Sequence, residues 1–308
     1  MMHVFLDSKR FPSRQNRKPI LPRAPFGLRM EWSVLVRWAR HLNIHPNDLF
    51  LFATAQEAMN AAVRAVMAPT DVALVARPMD EDWLTAVLAI GARYVDVGRR
   101  FDGPTPVGGW HRPAAERAAA AHDEAIAIVE SPIWSGADDV EAIAGLPLRA
   151  VVIDARRTED CWGAQVPAAR KSLTLIALRD PDQPCEPLVC GLVVPTLSGV
   201  GLRVAVGPTR LPRVIADRAT AVLHSLALQP DWPAPMLAQL QVRYAAWHAA
   251  MVDRPGVQVL GRCGLEAAAL CHAGDGPQIA DAIATDFPSI RASRVAGMRG
   301  LLTVDLLS

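Results

Sequence analysis

The sequence predicts an α/β fold, a mostly parallel sheet sandwiched by helices, followed by a smaller α+β unit at the carboxyl end. Three observations carry that expectation. Short apolar runs alternate with amphipathic stretches from Glu31 to Val206, as strands alternate with covering helices in a parallel sheet. The apolar runs, AVVID at Ala150–Asp154 most clearly, lack polar alternation and suit strands buried on both faces. After Pro208 the rhythm changes to two long helical stretches and a set of short strands.

Taken in order, residues 1–24 read as an extended arm, since their first 23 carry six cationic residues and three prolines with little periodicity. Such an arm is solvated or clasps a partner, with anion binding as the alternative. Trp32, Leu35, Val36, Trp38, Ala39 and Leu42 recur at helical spacing, and Asp48–Phe52 is a short apolar run suited to a buried strand. Thr54-Ala-Gln-Glu57 has the form of a capping box, so a helix starts there and runs to Met67. Strand Val72–Ala76, helix Glu81–Ile90 and strand Arg93–Val97 follow. Helix Pro113–Ala121, strand Ala125–Glu130, short helix Asp138–Ala144 and strand Ala150–Asp154 continue the alternation. Leu173–Leu178, Cys190–Val194 and Leu202–Val206 are further strands. The large unit therefore spans 25–210 and the small one 211–308. The small unit holds helices Leu211–Leu228 and Met236–Met251, strands Val257–Leu260 and Ala267–Cys271, helix Pro277–Asp286 and strand Leu301–Leu307.

Composition narrows the function. The chain has 308 residues, 51% hydrophobic and 20% charged, with a formal net charge of +1. That balance excludes a generally polyanion-coating surface, and no basic stripe interleaved with aromatics points to nucleic acid. Five scattered cysteines do not make a disulfide scaffold. Cys185, Cys190, Cys263 and Cys271-His272 lack the spacing of a metal site, so no metal is expected. The longest uncharged run near Leu188–Leu202 is broken by Pro195 and three glycines, so no membrane span is expected. With no signal-peptide pattern, the expected compartment is the cytoplasm. Arginine outnumbers lysine 29 to 3, and the lysines are Lys9, Lys18 and Lys171.

Several local strings carry a resemblance through their order. They are FLDSKRFPS, the run HLNIHPNDLFLFATAQEAMNAAVRAVM, SPIWSG, VVID and TLSGVGLRVAVGP. The chain resembles the fold-type I pyridoxal-phosphate aminotransferases, most closely the compact group that includes histidinol-phosphate aminotransferase and threonine-phosphate decarboxylase. The resemblance implies a homodimer with its sites at the interface. It implies that Asp154 faces the ring nitrogen, keeping it protonated so that the ring withdraws electrons. It implies further that Thr54, Ala55 and Gln56 form a phosphate-binding turn at a helix start, and that Arg203 reaches the phosphate. Each has a structural alternative. Thr54 is an ordinary N-cap, Arg203 a surface ion pair, and Asp154 a strand-end cap.

Imine exchange needs an amine that holds the aldehyde and then moves the substrate proton. The resemblance implies a lysine at Gln183, 29 residues beyond Asp154, or at Gly199 within TLSG. No lysine follows Lys171. Other family residues are missing too. The ring-stacking aromatic falls near Asp80, with Trp83 the nearest substitute; the ring-hydroxyl asparagine is replaced by Ile133 or Trp134. The tyrosine after Asp154 gives way to Ala155-Arg156-Arg157, and the substrate-carboxylate arginine to Leu302 or Thr303.

Three readings stay open. One is a homologue that does not transaminate and serves a biosynthetic pathway as an accessory or binding protein, with a pathway protein as partner and no cofactor. The second is an enzyme that holds pyridoxal or pyridoxamine phosphate noncovalently. Lysine-free sugar dehydratases of the superfamily have histidine at the lysine position, which neither Gln183 nor Gly199 supplies. In the third, an enzyme has reused the cleft for an anionic substrate that meets Trp134, Arg156 and Arg157, with Asp154 and Cys161 beside them.

Overall fold

The computed structural model describes residues 29–99, 109–131, 140–158, 172–194, 210–272, 274–292 and 300–307. The arm, the strand expected at Leu202–Val206 and the residues Cys161, Trp134, Gly199 and Arg203 lie outside them.

Seven strands form the larger sheet: β1 Leu49–Phe52, β2 Val72–Val75, β3 Arg93–Asp96, β4 Ile126–Glu130, β5 Ala150–Asp154, β6 Ser172–Leu178 and β7 Val189–Val193. Their order is β1-β7-β6-β5-β4-β2-β3. The pairs β2–β3, β2–β4, β4–β5 and β5–β6 are parallel, and β7 runs against both of its neighbours. Because β7 reverses, β6 and β7 are joined by a hairpin and not by a crossover helix.

Helices cover both faces, as the uninterrupted apolar strands require. On one side lie α2 (Ala55–Val66) and α3 (Glu81–Ala89). Met59, Val63, Trp83 and Val87 of these helices pack with Ala73, Val75, Ile126, Ile128 and Val152. On the other side α4 (Arg112–Ala121) and α5 (Val140–Ala144) bury Ala115, Ala119 and Ile143 against Val72, Leu74, Val151 and Ile153. The two sets alternate along β2 and β5, so each strand sends neighbouring side chains to opposite layers. Helix α1 (Arg29–His41) and helix α6 (Arg213–Leu228) share the second face over β1, β6 and β7, where Trp38, Leu51, Ile176, Leu178 and Val222 meet.

The smaller sheet is antiparallel, with strands β8 (Val257–Cys263), β9 (Glu266–Cys271), β10 (Arg291–Ala292) and β11 (Leu301–Asp305) in the order β10-β11-β9-β8. Helices α7 (Ala234–Val252) and α8 (Gly276–Ile283) complete its core through Leu240, Trp247, Met251, Ile283, Leu302 and Val304. Among the described residues no helix is long and apolar enough to cross a membrane.

One packing contact fixes how α1 seats on the sheet. The Trp38 indole is fully buried, and a Cβ built at Gly191 of β7 would lie 2.9 Å from two of its ring carbons and 3.0 Å from Ile176 Cγ1. Glycine is thus required for close approach, not for backbone conformation. Gly191→Ala forces the indole or the strand to shift, an overpacking loss of about 1–3 kcal/mol. Urea unfolding followed by tryptophan fluorescence should show a lowered midpoint with an unchanged slope.

Candidate functional site

The parallel strands all end at one edge of the larger sheet, and their carboxyl ends bring chemistry together there. Strand β4 ends in Glu130 and β5 in Asp154, which are register partners. The segment after β2 supplies Asp80, the N-cap of α3, whose side chain accepts from Asp82 N. Both strand-end carboxylates are buried, Glu130 to 2% and Asp154 to 4% exposure. Carboxylate oxygens of Asp80, Glu130 and Asp154 lie within 4.8 Å of one another.

Such a cluster needs a counter-charge, and Arg156 provides it. Its Nε donates to Asp154 Oδ1 at 2.9 Å and its Nη2 to Asp154 Oδ2 at 2.6 Å. The same Nη2 donates to Asp80 Oδ2 at 2.9 Å, and the Arg156 main-chain N–H donates to Asp154 Oδ1 at 3.1 Å. Trp83 Nε1, on a fully buried ring, donates to Asp154 Oδ2 at 2.8 Å. A carboxylate has about four lone-pair directions, and here four donors fill them. Burial pulls the Asp154 carboxyl upward, but the charge and hydrogen bonds of Arg156, with the Trp83 donor, turn the net shift downward. Arg156 is held charged in turn: its burial is outweighed by Asp154 and Asp80.

Glu130 is the reverse case. Its Oε1 accepts from Asp80 N at 2.8 Å, while its buried Oε2 has no hydrogen-bond partner among the described residues. Burial raises its carboxyl, against the pull of Arg157 and with the push of Asp154. Two acids at the ends of adjacent strands thus have their carboxyls shifted in opposite directions. The three carboxylates have the donor set of a small metal site, but the Arg156 guanidinium already stands as the cation between Asp80 and Asp154.

At the start of α2, Thr54 caps the helix by accepting from Glu57 N at 3.2 Å. The Gln56 amide nitrogen, in the orientation that satisfies both of its ends, donates to both Asp82 carboxylate oxygens at 3.2 Å. The Asp82 carboxyl is raised by burial and by neighbouring Asp80. This helix N-terminus therefore faces the Asp82 carboxylate, whose charge opposes a phosphate there.

The β6–β7 hairpin closes the same edge. Gln183 is exposed in a tight turn, its N–H bonded to Asp180 O at 2.9 Å. Arg179 fixes the turn through Pro184 O at 2.7 Å and Cys185 O at 3.3 Å, and ties it to Arg156 O at 3.1 Å. Arg218 of α6 pairs with buried Asp180. Arg157 turns away from its neighbour Arg156 and pairs with Glu266 of the small sheet at 3.2 Å.

No family model matches the chain, and no curated protein matches it. Solved structures do. N-succinyldiaminopimelate aminotransferase from Mycobacterium tuberculosis aligns with TM-score 0.67 at 17% identity, over 90% of this chain and 78% of that one. Histidinol-phosphate aminotransferase from Sinorhizobium meliloti, in complex with pyridoxal-5'-phosphate, aligns with TM-score 0.67 at 14% identity, over 90% and 76%. Cystalysin from Treponema denticola, which contains that cofactor, aligns with TM-score 0.68 at 11% identity, over 90% and 77%. The fold is that of the fold-type I aminotransferases.

Two of the groups that the resemblance assigns to the cofactor are engaged by the chain itself within this aminotransferase fold. Asp154 has its oxygens filled by Arg156 and Trp83, and the turn at Thr54–Gln56 lies against Asp82. Sequence reasoning brought Asp154, Arg156 and Arg157 to one strand end, and the structure places them there. It missed Glu130, although two apolar strands each ending in a carboxylate were visible. It missed the Arg156–Asp154 pairing as well, since residues two apart on a strand ordinarily share a face but not a guanidinium fork.

Two outcomes follow from this geometry. Arg156→Ala leaves Asp154 buried without its counter-charge, a loss of about 3–5 kcal/mol in denaturant melts. Glu130 has a folded-state value above its unfolded one, about 4.3. Its contribution is therefore complete below that value and lost as pH rises through the folded value. Glu130→Gln should gain stability over the parent as melts move from about pH 5 to about pH 8, with the gain vanishing near about pH 4.

Proposed function

We propose that the protein is an aminotransferase-like homologue that does not transaminate and acts as a binding or accessory protein in a biosynthetic pathway. The observation that carries this reading is the complete engagement of Asp154 by Arg156 and Trp83. Pyridine chemistry needs that carboxylate for the ring nitrogen. Here the chain's own guanidinium supplies the cation that a protonated ring would bring, so the electrostatic need of Asp154 is met from within.

Two further facts support it. Lys171 is the last lysine of the chain, and Gln183, in the β6–β7 turn, has an amide that cannot form an imine. The Asp82 carboxylate beside Gln56 opposes a phosphate dianion at the helix start. We propose a homodimer as the assembly, with a pathway protein as its partner and the cytoplasm as its compartment. A second reading, an enzyme that has reused the cleft, draws on Arg157. That side chain lines the space between the sheets, whereas Arg156 is buried in its pairing with Asp80 and Asp154.

Titration of the purified protein with pyridoxal and pyridoxamine phosphates, read by absorbance and by heat, tests the proposal. The expected result is no saturable binding at millimolar cofactor. Saturable binding that Asp154→Ala weakens would overturn it in favour of a lysine-independent cofactor enzyme.

A further inference from the structure

The dipeptide Arg156-Arg157, just beyond β5, is where the carboxylate cluster meets the smaller unit. Arg156 forks to Asp154 and Asp80, and its carbonyl accepts from Arg179 Nη2 of the β6–β7 hairpin at 3.1 Å. Arg157 serves the other side. Its carbonyl lies 3.9 Å from Cys263 Sγ and against Gly264, which turns at φ +56° with no room for a side chain. Its guanidinium pairs with Glu266 at 3.2 Å. Cys263, Gly264 and Glu266 make the turn from β8 to β9. Arg157 therefore latches that turn to the larger unit by main chain and side chain together.

Glu130 stands behind this latch, at the end of the neighbouring strand. Its buried Oε2 has no hydrogen-bond partner among the described residues. The charged and titratable groups that face it are Asp154 and Asp80, Arg156 between them, Arg99, Arg157 and Cys263. Once ionised, Glu130 is a buried charge that requires a cation. Arg156 is committed to Asp154 and Asp80, and Arg99 Nε is tied to the carbonyls of Ala76 and Pro78. Arg157 is held by a salt bridge that water reaches, with side chains 28% and 26% exposed. Burial pulls its guanidinium down, and the charges of Glu130 and Glu266 outweigh that, so both acids act on one cation. Glu266 has further partners, so it can release the guanidinium without being stranded.

We propose that Glu130 is a proton-operated release for this latch: when it ionises, Arg157 turns from Glu266 to Glu130 and frees the β8–β9 turn. With the proton on, Arg157 is matched by Glu266 and the turn stays fastened. With the proton off, the buried carboxylate draws the guanidinium inward, and the smaller unit loses its side-chain tie. One proton passes to solvent and no covalent bond changes. Burial raises the Glu130 carboxyl, so the release lies above the ordinary glutamate value of about 4.3. Such a release operates whatever the cleft binds, so it stands or falls apart from the accessory-protein reading.

Cys263, 2% exposed at the latch, is the reporter. The full chain is treated with methyl methanethiosulfonate, and labelling of each cysteine is followed by peptide mass spectrometry from about pH 5 to about pH 8.5. Each rate is divided by that of Glu130→Gln at the same pH, which cancels the pH dependence of the reagent. The Cys263 ratio should rise from unity at the acid end to about threefold to fivefold at the alkaline end, the gain in opening when a partly exposed ion pair is lost. Ionised Glu130 by its charge alone pushes the Cys263 thiol upward and slows it, so a rise reports access. Cys271 and Cys190, 7% and 0% exposed in the two units, should keep a ratio of unity. Glu266→Gln should speed Cys263 labelling at every pH, and in an Arg157→Gln background the Cys263 ratio should stay flat. A flat ratio in the parent, a rise shared by Cys271 or Cys190, no gain in Glu266→Gln, or a rise that persists with Arg157→Gln would each overturn the proposal.

Discussion

The fork between Arg156 and Asp154 is the interaction on which the carboxyl edge of the sheet depends. A carboxylate at 4% exposure is tolerated only with a counter-charge and full hydrogen bonding. Once Arg156 takes that role, other parts are set by it. Asp80 must bring its oxygen to the same guanidinium, which anchors the start of α3, and α3 in turn delivers Trp83 to the second Asp154 oxygen. Glu130, with no cation of its own in the fork, has its carboxyl pushed upward by burial. Three elements distant in sequence are thereby tied at one point by charge, where hydrophobic packing alone would leave their register loose.

Much of the fold was legible because buried parallel strands announce themselves. Runs such as VALV, IAIVE and AVVID have no polar face, and their spacing leaves room only for crossover helices. Thr54 was readable as a cap because its hydroxyl and Glu57 stand at the required separation. Less of the site could be read. A strand-end aspartate looks the same whether it awaits a ring nitrogen or an arginine, since the difference lies in a side-chain rotamer. Glu130 was hidden for another reason: its upward shift follows from burial beside an adjacent strand, which no local pattern encodes.

The smaller unit shows the same limit. Its strands and helices follow from periodicity, yet the contact with the larger body turns on Gly264, with φ +56°, where a Cβ would lie 1.9 Å from Arg157 O. Only a glycine allows both that left-handed conformation and that approach. A sequence reader sees an ordinary turn glycine between two strands, and the constraint appears only when the other body's main chain is in place.

The β6–β7 hairpin separates two duties that often share residues. Arg179 and Asp180 hold the turn from outside its tip, through main-chain carbonyls and through Arg218. The tip residue Gln183 is exposed. Anchorage of this kind lets the tip change identity without loosening the sheet. Residues at the tip can therefore be exchanged while the strands on either side keep their register.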